Sequence, residues 1–207
     1  MEDIRVDAVI SDVGDVLIRL GEPAARHRWA ARLGLDADGL SGLVWAAIGR
    51  RGIADRSVIA GEIAIGAGLG DAAALELLHD FNAHWQADHP LVEALAVLRP
   101  RCKVGLLSNA GEAARYAIED ILGVDLADDI VVSSHVGLAK PDVAIYRLAA
   151  ERLGVDPRRC LFLDDLQDNL DGAVEAGMTA FRHVSTERTL HALAAVLSDS
   201  DPGSSSG

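Results

Sequence analysis

Short apolar runs alternate with longer stretches of helical periodicity along most of this chain. Five runs have the length and composition of buried strands, at 7–11, 103–108, 129–133, 160–164 and 179–183. After residue 90 the segments between them place apolar residues at helical spacing, over 91–98, 112–122, 143–153, 169–176 and 187–197. This alternation predicts an α/β fold with a Rossmann-like parallel sheet, covered by helices on both faces in three layers (α/β/α).

The alternation stops between residues 19 and 89, where no strand pattern occurs. Apolar residues there recur at helical spacing near 23–33, 38–48, 56–67 and 72–85, and glycine-rich turns join these segments. We therefore predict a helical domain over 19–89, inserted into an α/β core domain formed by 1–18 and 90–197. The segment 198–207, SDSDPGSSSG, has low complexity and predicts a disordered tail.

Composition and charge narrow the possible partners. No apolar run reaches the roughly 18 residues that a membrane helix needs. The net charge of −13 disfavours nucleic acid and anionic lipid as partners. The first residues lack a signal-peptide pattern, and the two cysteines, Cys102 and Cys160, lie where predicted strands begin. We expect a cytoplasmic protein with inert thiols and leave monomer or homodimer open.

Polar side chains follow the apolar runs where the predicted strands end. The carboxyl ends of parallel strands line the ligand crevice of an open α/β sheet, so these side chains are expected to meet there. Carboxylates, a hydroxyl and an ammonium group together suit a hard divalent cation such as Mg²⁺ and a phosphoryl group. The candidates, in chain order, are Asp12, Ser108, Asn109, Lys140, Asp164 and Asp165.

Taken singly, these residue types have simpler explanations. An aspartate after a strand often ends a turn, serine and asparagine often begin helices, a lone lysine is usually solvated, and paired acids suit a helix N-terminus. The order of the set along the chain favours a common site instead. Asp168 and Asp171 are expected as exposed acids at a helix start.

Aromatic and histidine side chains in the insertion predict no metal site. His79, His84 and His89 are five residues apart, which spreads them around a helix, whereas ligand pairs usually take i, i+4 spacing. We expect them, with Trp85, to be packed or at the surface. Trp29 and Trp45 are expected in the core of the insertion.

The ordered set resembles the four motifs of the haloacid dehalogenase superfamily, over residues 7 to about 190. GLAKPD at 137–142, followed by Ile145 and Tyr146, and FLDD at 162–165, followed by Asn169, are similar to the branch with a small helical cap after the first motif. That branch is subfamily I, and it includes sugar phosphatases of the glucose-1-phosphate type. The resemblance implies that the insertion is this cap.

The resemblance also implies a Mg²⁺-dependent phosphatase, a phosphoric monoester hydrolase acting on a small phosphorylated metabolite such as a sugar phosphate. Asp12 would be the nucleophile and form an aspartyl-phosphate. Mg²⁺ would be held by the Asp12 carboxylate, the Gly14 backbone carbonyl and Asp165. Asp164 and Asn169 would support these ligands through hydrogen bonds.

The remaining residues of the set would handle the phosphoryl group. The resemblance implies that Ser108, Asn109 and Lys140 bind the oxygens of the transferring group, with Ser108 and Lys140 also taking part in catalysis.

Gly14 departs from the family pattern, because phosphatases of this superfamily usually carry a second aspartate there as general acid. Such an acid contributes typically about 10²- to 10⁴-fold, so esters with poor leaving groups would react slowly, and sugar 1-phosphates or acyl phosphates would be least affected. Asp15 is a candidate replacement. Two alternatives stay open. One is a 2-haloacid dehalogenase, although that enzyme type usually has Ser and Asn in place of Asp164-Asp165. The other is a non-catalytic phosphate-binding protein.

Overall fold

The computed structural model describes residues 6–19, 23–49, 56–82, 86–111 and 114–199. The described strands are β1 (Ala8–Ser11), β2 (Ile18–Arg19), β3 (Gln86–Ala87), β4 (Lys103–Ser108), β5 (Asp129–Val132), β6 (Cys160–Asp164) and β7 (Thr179–Arg182). The described helices are α1 (Pro23–Leu33), α2 (Ala37–Gly49), α3 (Arg56–Ala67), α4 (Asp71–Asn82), α5 (His89–Leu98), α6 (Ala114–Leu122), α7 (Ser133–Val136), α8 (Val143–Leu153), α9 (Gln167–Glu175) and α10 (Thr186–Asp199), with a 3₁₀ turn at Pro157–Arg159.

Five strands form one parallel sheet in the order β5-β4-β1-β6-β7. Strand β1 lies in the centre, and its last residue, Ser11, pairs with Leu106 of β4 and Leu163 of β6. All four residues of β1 are buried, as a continuous apolar run between two helical layers requires. The predicted α/β fold is confirmed, and each of the five predicted strands lies within one residue of its observed bounds.

Two buried apolar clusters hold the layers together. On one face of the sheet, Val9 and Leu163 belong to a cluster that includes Leu95 of α5, Ile118 of α6 and Leu193 of α10. On the other face, side chains from β1 and β6 pack with α8 and α9; they include Ile10, Phe162, Tyr146 and Ala173. The sheet is therefore held between two helical layers, and its carboxyl edge stays open for a site.

The structure corrects the prediction that no strand occurs between residues 19 and 89. Strands β2 and β3, where the chain leaves and re-enters the core, pair antiparallel, with Ile18 opposite Ala87 and Arg19 opposite Gln86. Two residues are too short a stretch to produce an alternating pattern. Likewise Ser133, predicted as the end of a strand, instead begins the short helix α7.

Between β2 and β3 the described residues form helices α1 to α4, named the helical insertion from here on. Its core includes Trp29, as predicted, and the Trp29 indole Nε1 donates to Asp80 Oδ2 at 2.9 Å. His79 and His89 are exposed; the Trp45 side chain, His84 and Trp85 lie outside the described residues. The domain bounds remain a prediction.

Helices α4 and α10 end two or more residues away from their predicted ends. Helix α4 ends at Asn82, whereas the pattern extended to residue 85, and residues 83–85 lie outside the described part. Helix α10 continues through Asp199, two residues into the predicted tail; residues 200–207 are not described.

None of the described helices is by itself both long and apolar enough to cross a membrane, although one pair bent by 109°, Ser57–Ala67 with Asp71–Phe81, passes by length and composition alone.

Gly172 lets α9 approach the loop after α7. A Cβ there would overlap the Pro141 carbonyl oxygen and lie 2.9 Å from Tyr146 Cε2. We expect Gly172→Ala to lower the free energy of unfolding by about 1–3 kcal/mol, because backbone must move to accept the methyl group. The matched control is Gly61→Ala on α3, where a Cβ meets nothing within 4 Å. Urea unfolding measures both, and equal stabilities would contradict this packing.

Candidate active site

The carboxyl edge of the sheet brings Asp12, Lys140 and Asp164 into direct contact. Asp12 follows β1, Asp164 ends the neighbouring β6, and Lys140 reaches them from the loop between α7 and α8. Lys140 Nζ lies 2.8 Å from Asp12 Oδ1 and 2.7 Å from Asp164 Oδ2. The three residues are 7%, 6% and 0% exposed respectively. Burial alone would lower the pKa of Lys140, but the two carboxylates outweigh it and raise that pKa to about 12.

The Asp164 carboxylate is oriented by the segment that follows it. The Leu166 backbone N–H donates to Oδ1 at 2.9 Å, and Asn169 Nδ2 lies 3.0 Å from both carboxylate oxygens. Tyr146 of α8 in turn donates its hydroxyl to the Asn169 carbonyl at 2.7 Å. The supporting roles of Asp164 and Asn169 stay predictions, and these contacts provide the hydrogen bonds that such roles need.

Asn109, directly after β4, pairs with the backbone of Lys140. Its Nδ2 donates to the Lys140 carbonyl and its Oδ1 accepts from the Lys140 N–H, both at 2.8 Å. The side-chain amide therefore holds the loop that carries the lysine, a contact that the sequence did not indicate. Ser108, the last residue of β4, is buried and lines the same cavity as Asn109. Substrate binding by Ser108 and Asn109 remains a prediction.

These side chains face a cavity of about 560 Å³ between the sheet edge and the helical insertion. That volume is within the range of small-molecule sites. The insertion contributes Gly42 and Ala46, about one turn apart on α2. The other lining residues come from the core; they are Asp12, Ser108, Asn109, Ala139, Lys140, Pro141, Leu166, Gln167, Asp168, Asn169 and Arg182.

Asp165 joins Asp12 and Asp164 in an acidic cluster, in which each residue offers a carboxylate oxygen within 4.8 Å of the others. Burial raises the pKa of Asp12. Burial, with the charges of Asp12 and Asp164, raises the pKa of Asp165 to about 8. Such shifts mean that the ionised carboxylates lack sufficient positive charge nearby. Oxygen donors that repel one another in this way fit a divalent cation.

Gly14 and Asp15 form a tight turn between β1 and β2. The N–H groups of Leu17 and Ile18 both donate to the Val13 carbonyl, at 2.9 and 2.8 Å, and the Asp15 N–H donates to the Ile18 carbonyl at 2.8 Å. Asp15 has a φ of 58°, in the left-handed region that aspartate enters more readily than most residues. The loop that contains the predicted nucleophile is thus tied together by its own backbone.

The Asp15 carboxylate is bound by Arg26 of α1. Arg26 Nη1 and Nη2 lie 2.6 and 2.8 Å from Asp15 Oδ1 and Oδ2, and the two side chains are only 18% and 12% exposed. Both carboxylate oxygens therefore accept from the helical insertion. The carboxylate that the sequence suggested as a proton donor is thus in direct contact with a guanidinium, and its role as a donor stays a hypothesis.

Comparison with known proteins agrees with this geometry. The family model of haloacid dehalogenase-like hydrolases matches residues 6–177. The chain belongs to this hydrolase family. It is 37% identical to "Phosphatase MT3486" of Mycobacterium tuberculosis (strain CDC 1551 / Oshkosh) over 145 residues, which are 65% of this chain and 67% of that protein. The chain is therefore a phosphatase-like hydrolase.

Solved structures of the same family share the fold of this hydrolase. The L-2-haloacid dehalogenase of Xanthobacter autotrophicus, with chloropropionic acid covalently bound, aligns with a TM-score of 0.61 at 19% identity, over 92% of this chain and 83% of that one. A haloacid dehalogenase family enzyme of Bacteroides thetaiotaomicron, in complex with magnesium and inorganic phosphate, aligns with a TM-score of 0.58 at 20% identity, over 86% and 93%.

Sequence reasoning missed one basic residue of the hydrolase site. Arg182 ends β7, lines the cavity, and donates from Nε to the Asp165 carbonyl at 3.1 Å. The available signal was its position near the end of the predicted strand 179–183, because the carboxyl ends of parallel strands line the crevice. Asp168 and Asp171 are exposed as predicted, and Asp168 also lines the cavity.

The cysteines of the hydrolase lie at the opposite edge of the sheet. Cys102 directly precedes β4 and Cys160 begins β6, and both are buried and free. Burial raises their pKa values to about 11 and about 12. Both are therefore protonated thiols at neutral pH, as expected of inert cysteines.

The acidic cluster predicts that the metal-free protein loses stability as the pH rises. The pKa of Asp165 is about 8 in the folded protein and about 4 in an unfolded chain, so the unfolded state releases its proton first. Between these values each step up in pH favours unfolding, and above about pH 8 the penalty is complete. Thermal midpoints in a chelator should be lower at pH 8 than at pH 5, with a smaller difference in Asp165→Asn. An equal difference in both proteins would contradict this origin.

Proposed function

We propose that this hydrolase is a Mg²⁺-dependent phosphatase that acts on a small phosphorylated metabolite through an aspartyl-phosphate. The observation that carries the proposal is the cluster of Asp12, Asp164 and Asp165, with Lys140 bonded to only the first two. Such a site has negative charge left over for a divalent cation, and a phosphoryl group is the anionic partner that a cation and an ammonium ion bind together.

Asp12 is the proposed nucleophile. Its carboxylate oxygen attacks phosphorus, the P–O bond to the leaving group breaks, and water then hydrolyses the acyl phosphate to free phosphate and the restored carboxylate. Lys140 has three N–H donors, of which Asp12 and Asp164 accept two. We infer that the third contacts a phosphoryl oxygen of the substrate, with Ser108 and Asn109 as further contacts.

The proposed metal ligands are the Asp12 carboxylate, the Gly14 backbone carbonyl and Asp165. Asp164 is less suited to this task, because Lys140, Leu166 and Asn169 already occupy its oxygens. A bound Mg²⁺ would withdraw negative charge from the phosphoryl oxygens.

The helical insertion is proposed as a cap over residues 19–89. Its helix α2 places Gly42 and Ala46 on the cavity, so it contacts whatever group departs from phosphorus. With glycine at position 14, sugar 1-phosphates and acyl phosphates are the favoured substrates, since their leaving groups need the least help from a general acid. The protein would act as a monomer or homodimer.

A dehalogenase function is the second candidate, because the fold also matches the Xanthobacter enzyme. In that reaction the aspartate would attack carbon of a 2-haloacid, whose own carboxylate must sit in the site. Asp165 lies beside Asp12 and Asp164 and offers that carboxylate no positive charge, which supports the phosphatase. A phosphate-binding protein without activity would keep the same pocket.

The test is phosphate release from para-nitrophenyl phosphate across a Mg²⁺ titration, in the original protein, Asp165→Asn and Asp171→Asn. We expect no turnover in a chelator and turnover restored by Mg²⁺. Asp165→Asn should raise the Mg²⁺ concentration at half-activity by roughly tenfold or more. Asp171→Asn is the matched control, an exposed acid of α9 outside the cavity lining, and should behave like the original protein.

Three results would overturn the proposal. Phosphate release that continues in a chelator would show that the reaction needs no metal ion. Chloride release from 2-chloropropionate without phosphate release would establish the dehalogenase function. Phosphate binding by calorimetry with no turnover of any ester would favour the binding protein.

A further inference from the structure

The proposed reaction assigns no role to the contact between Asp15 and Arg26. Arg26 lies on α1, and its guanidinium carbon is 5.5 Å from the ring centroid of Phe81, a buried residue of α4. The same guanidinium donates to both oxygens of Asp15. Arg26 is therefore held between the core of the helical insertion and the turn after β1.

A constraint on that turn also constrains the position of Asp12, the proposed nucleophile. Asp15 is three residues after Asp12, whose N–H is fixed by the Leu163 carbonyl at 2.8 Å. Beyond Asp15, Val16 and Leu17 are buried in the apolar cluster that also contains side chains of the helical insertion. A turn closed by its own hydrogen bonds moves as a unit, so a hold on Asp15 also holds the Gly14 carbonyl and Asp12.

We propose that Arg26 is a positioning residue, which holds the loop of Asp12 and Gly14 in place through the Asp15 carboxylate and so couples the helical insertion to the nucleophile. The consequence for catalysis rests on the proposed phosphatase function. In this assignment Asp15 is the point where the insertion binds the loop, and it does not donate a proton to the leaving group.

The chemistry of the pair suits a fixed anchor. Two parallel N–H···O bonds between a guanidinium and a carboxylate fix direction as well as distance, and the pair is mostly shielded from water. Removal of either partner leaves the other charge largely buried without its main counterion. Asn replaces Asp15 without backbone strain, because asparagine also tolerates the left-handed φ.

The test uses Arg26→Gln, Asp15→Asn and the double variant, with Arg32→Gln as matched control. Arg32 lies on the same helix, also with its guanidinium over an aromatic ring, 4.8 Å from the centroid of Trp29, but it is exposed and more than one turn further along α1. Two readouts are needed. One is hydrogen exchange of the Asp15, Leu17 and Ile18 amides, and the other is kcat and kcat/KM on aryl phosphates with leaving groups of different pKa.

We expect Arg26→Gln and Asp15→Asn to lower kcat by a similar factor, roughly tenfold or more, and by the same factor for every leaving group. The double variant should be no worse than Asp15→Asn, because both changes break one contact. Exchange of the loop amides should quicken in Arg26→Gln and stay unchanged in Arg32→Gln.

Three results would overturn the assignment. A loss in Asp15→Asn that grows with the pKa of the leaving group, absent in Arg26→Gln, would make Asp15 the proton donor. If Arg26→Gln and Arg32→Gln changed kcat and hydrogen exchange equally, the contact of Arg26 with Asp15 would only stabilise helix α1. If hydrogen exchange of the loop amides were unchanged in Arg26→Gln, Arg26 would not hold the loop in place. If the original protein releases phosphate from no ester, the proposed function fails. The hydrogen-exchange measurement would still show whether Arg26 holds the loop through Asp15.

Discussion

Asp12→Asn is expected to reduce phosphate release by roughly 10⁴-fold or more, the largest loss of any single substitution in this chain. The amide has the shape of the carboxylate but no anionic oxygen to attack phosphorus. The fold should survive, because burial raises the pKa of Asp12 and a neutral side chain removes that penalty. Lys140 keeps Asp164 as its partner at 2.7 Å. Steady-state phosphate release and the thermal midpoint together measure this result.

The matched control for that substitution is Asp128→Asn. Asp128 precedes β5 at the opposite edge of the sheet and accepts from Lys103 Nζ at 3.1 Å. We expect its activity within about twofold of the original protein, since surface pairs contribute little. Turnover in Asp12→Asn within tenfold of the original protein would show that another group attacks phosphorus.

Lys140→Met is expected to harm both stability and turnover. It leaves the carboxylates of Asp12 and Asp164 buried without the ammonium between them, a change that costs about 3–5 kcal/mol of unfolding free energy when a buried pair is broken. It also removes a preorganised donor to the phosphoryl group, which is worth about 10²- to 10³-fold in turnover. Urea unfolding and phosphate release measure the two effects separately.

Lys103→Met is the matched control, because the chain contains only these two lysines. The Lys103 side chain is 53% exposed, so its loss should cost at most about 1 kcal/mol. Adding Asp164→Asn to Lys140→Met should recover stability but not turnover, since it removes one of the uncompensated charges. Equal stabilities of Lys140→Met and Lys103→Met would contradict the assigned cost.

The strands of this fold were predictable because burial leaves a strong mark in the sequence. Runs such as Lys103–Ser108 and Cys160–Asp164 are continuous, apolar and stopped by polar residues, so their predicted and observed bounds coincide. The ribbon of β2 and β3 left no such mark, because two residues cannot establish a period. Its pairing joins positions almost seventy residues apart and depends on how the insertion folds.

The membership of the site was more accessible to sequence reasoning than its contacts. The carboxyl ends of parallel strands must meet at one edge, so Asp12, Ser108 and Asp164 could be predicted to lie near one another. The hydrogen bonds of Asn109 to the Lys140 backbone, and the grip of Arg26 on Asp15, depend on loop paths and on side-chain direction. No local sequence pattern encodes those features, which arise only when the whole chain has folded.

The placement of the two lysines has a practical consequence for measuring this enzyme. Lys140 is buried and held by two carboxylates, whereas Lys103 begins β4 at the edge of the sheet opposite the cavity. Apart from the α-amino group, an amine-reactive surface or dye therefore has a single accessible lysine to couple with. Coupling through Lys103 would present the cavity to the flowing solution, so metal and phosphate binding can be followed without an added tag.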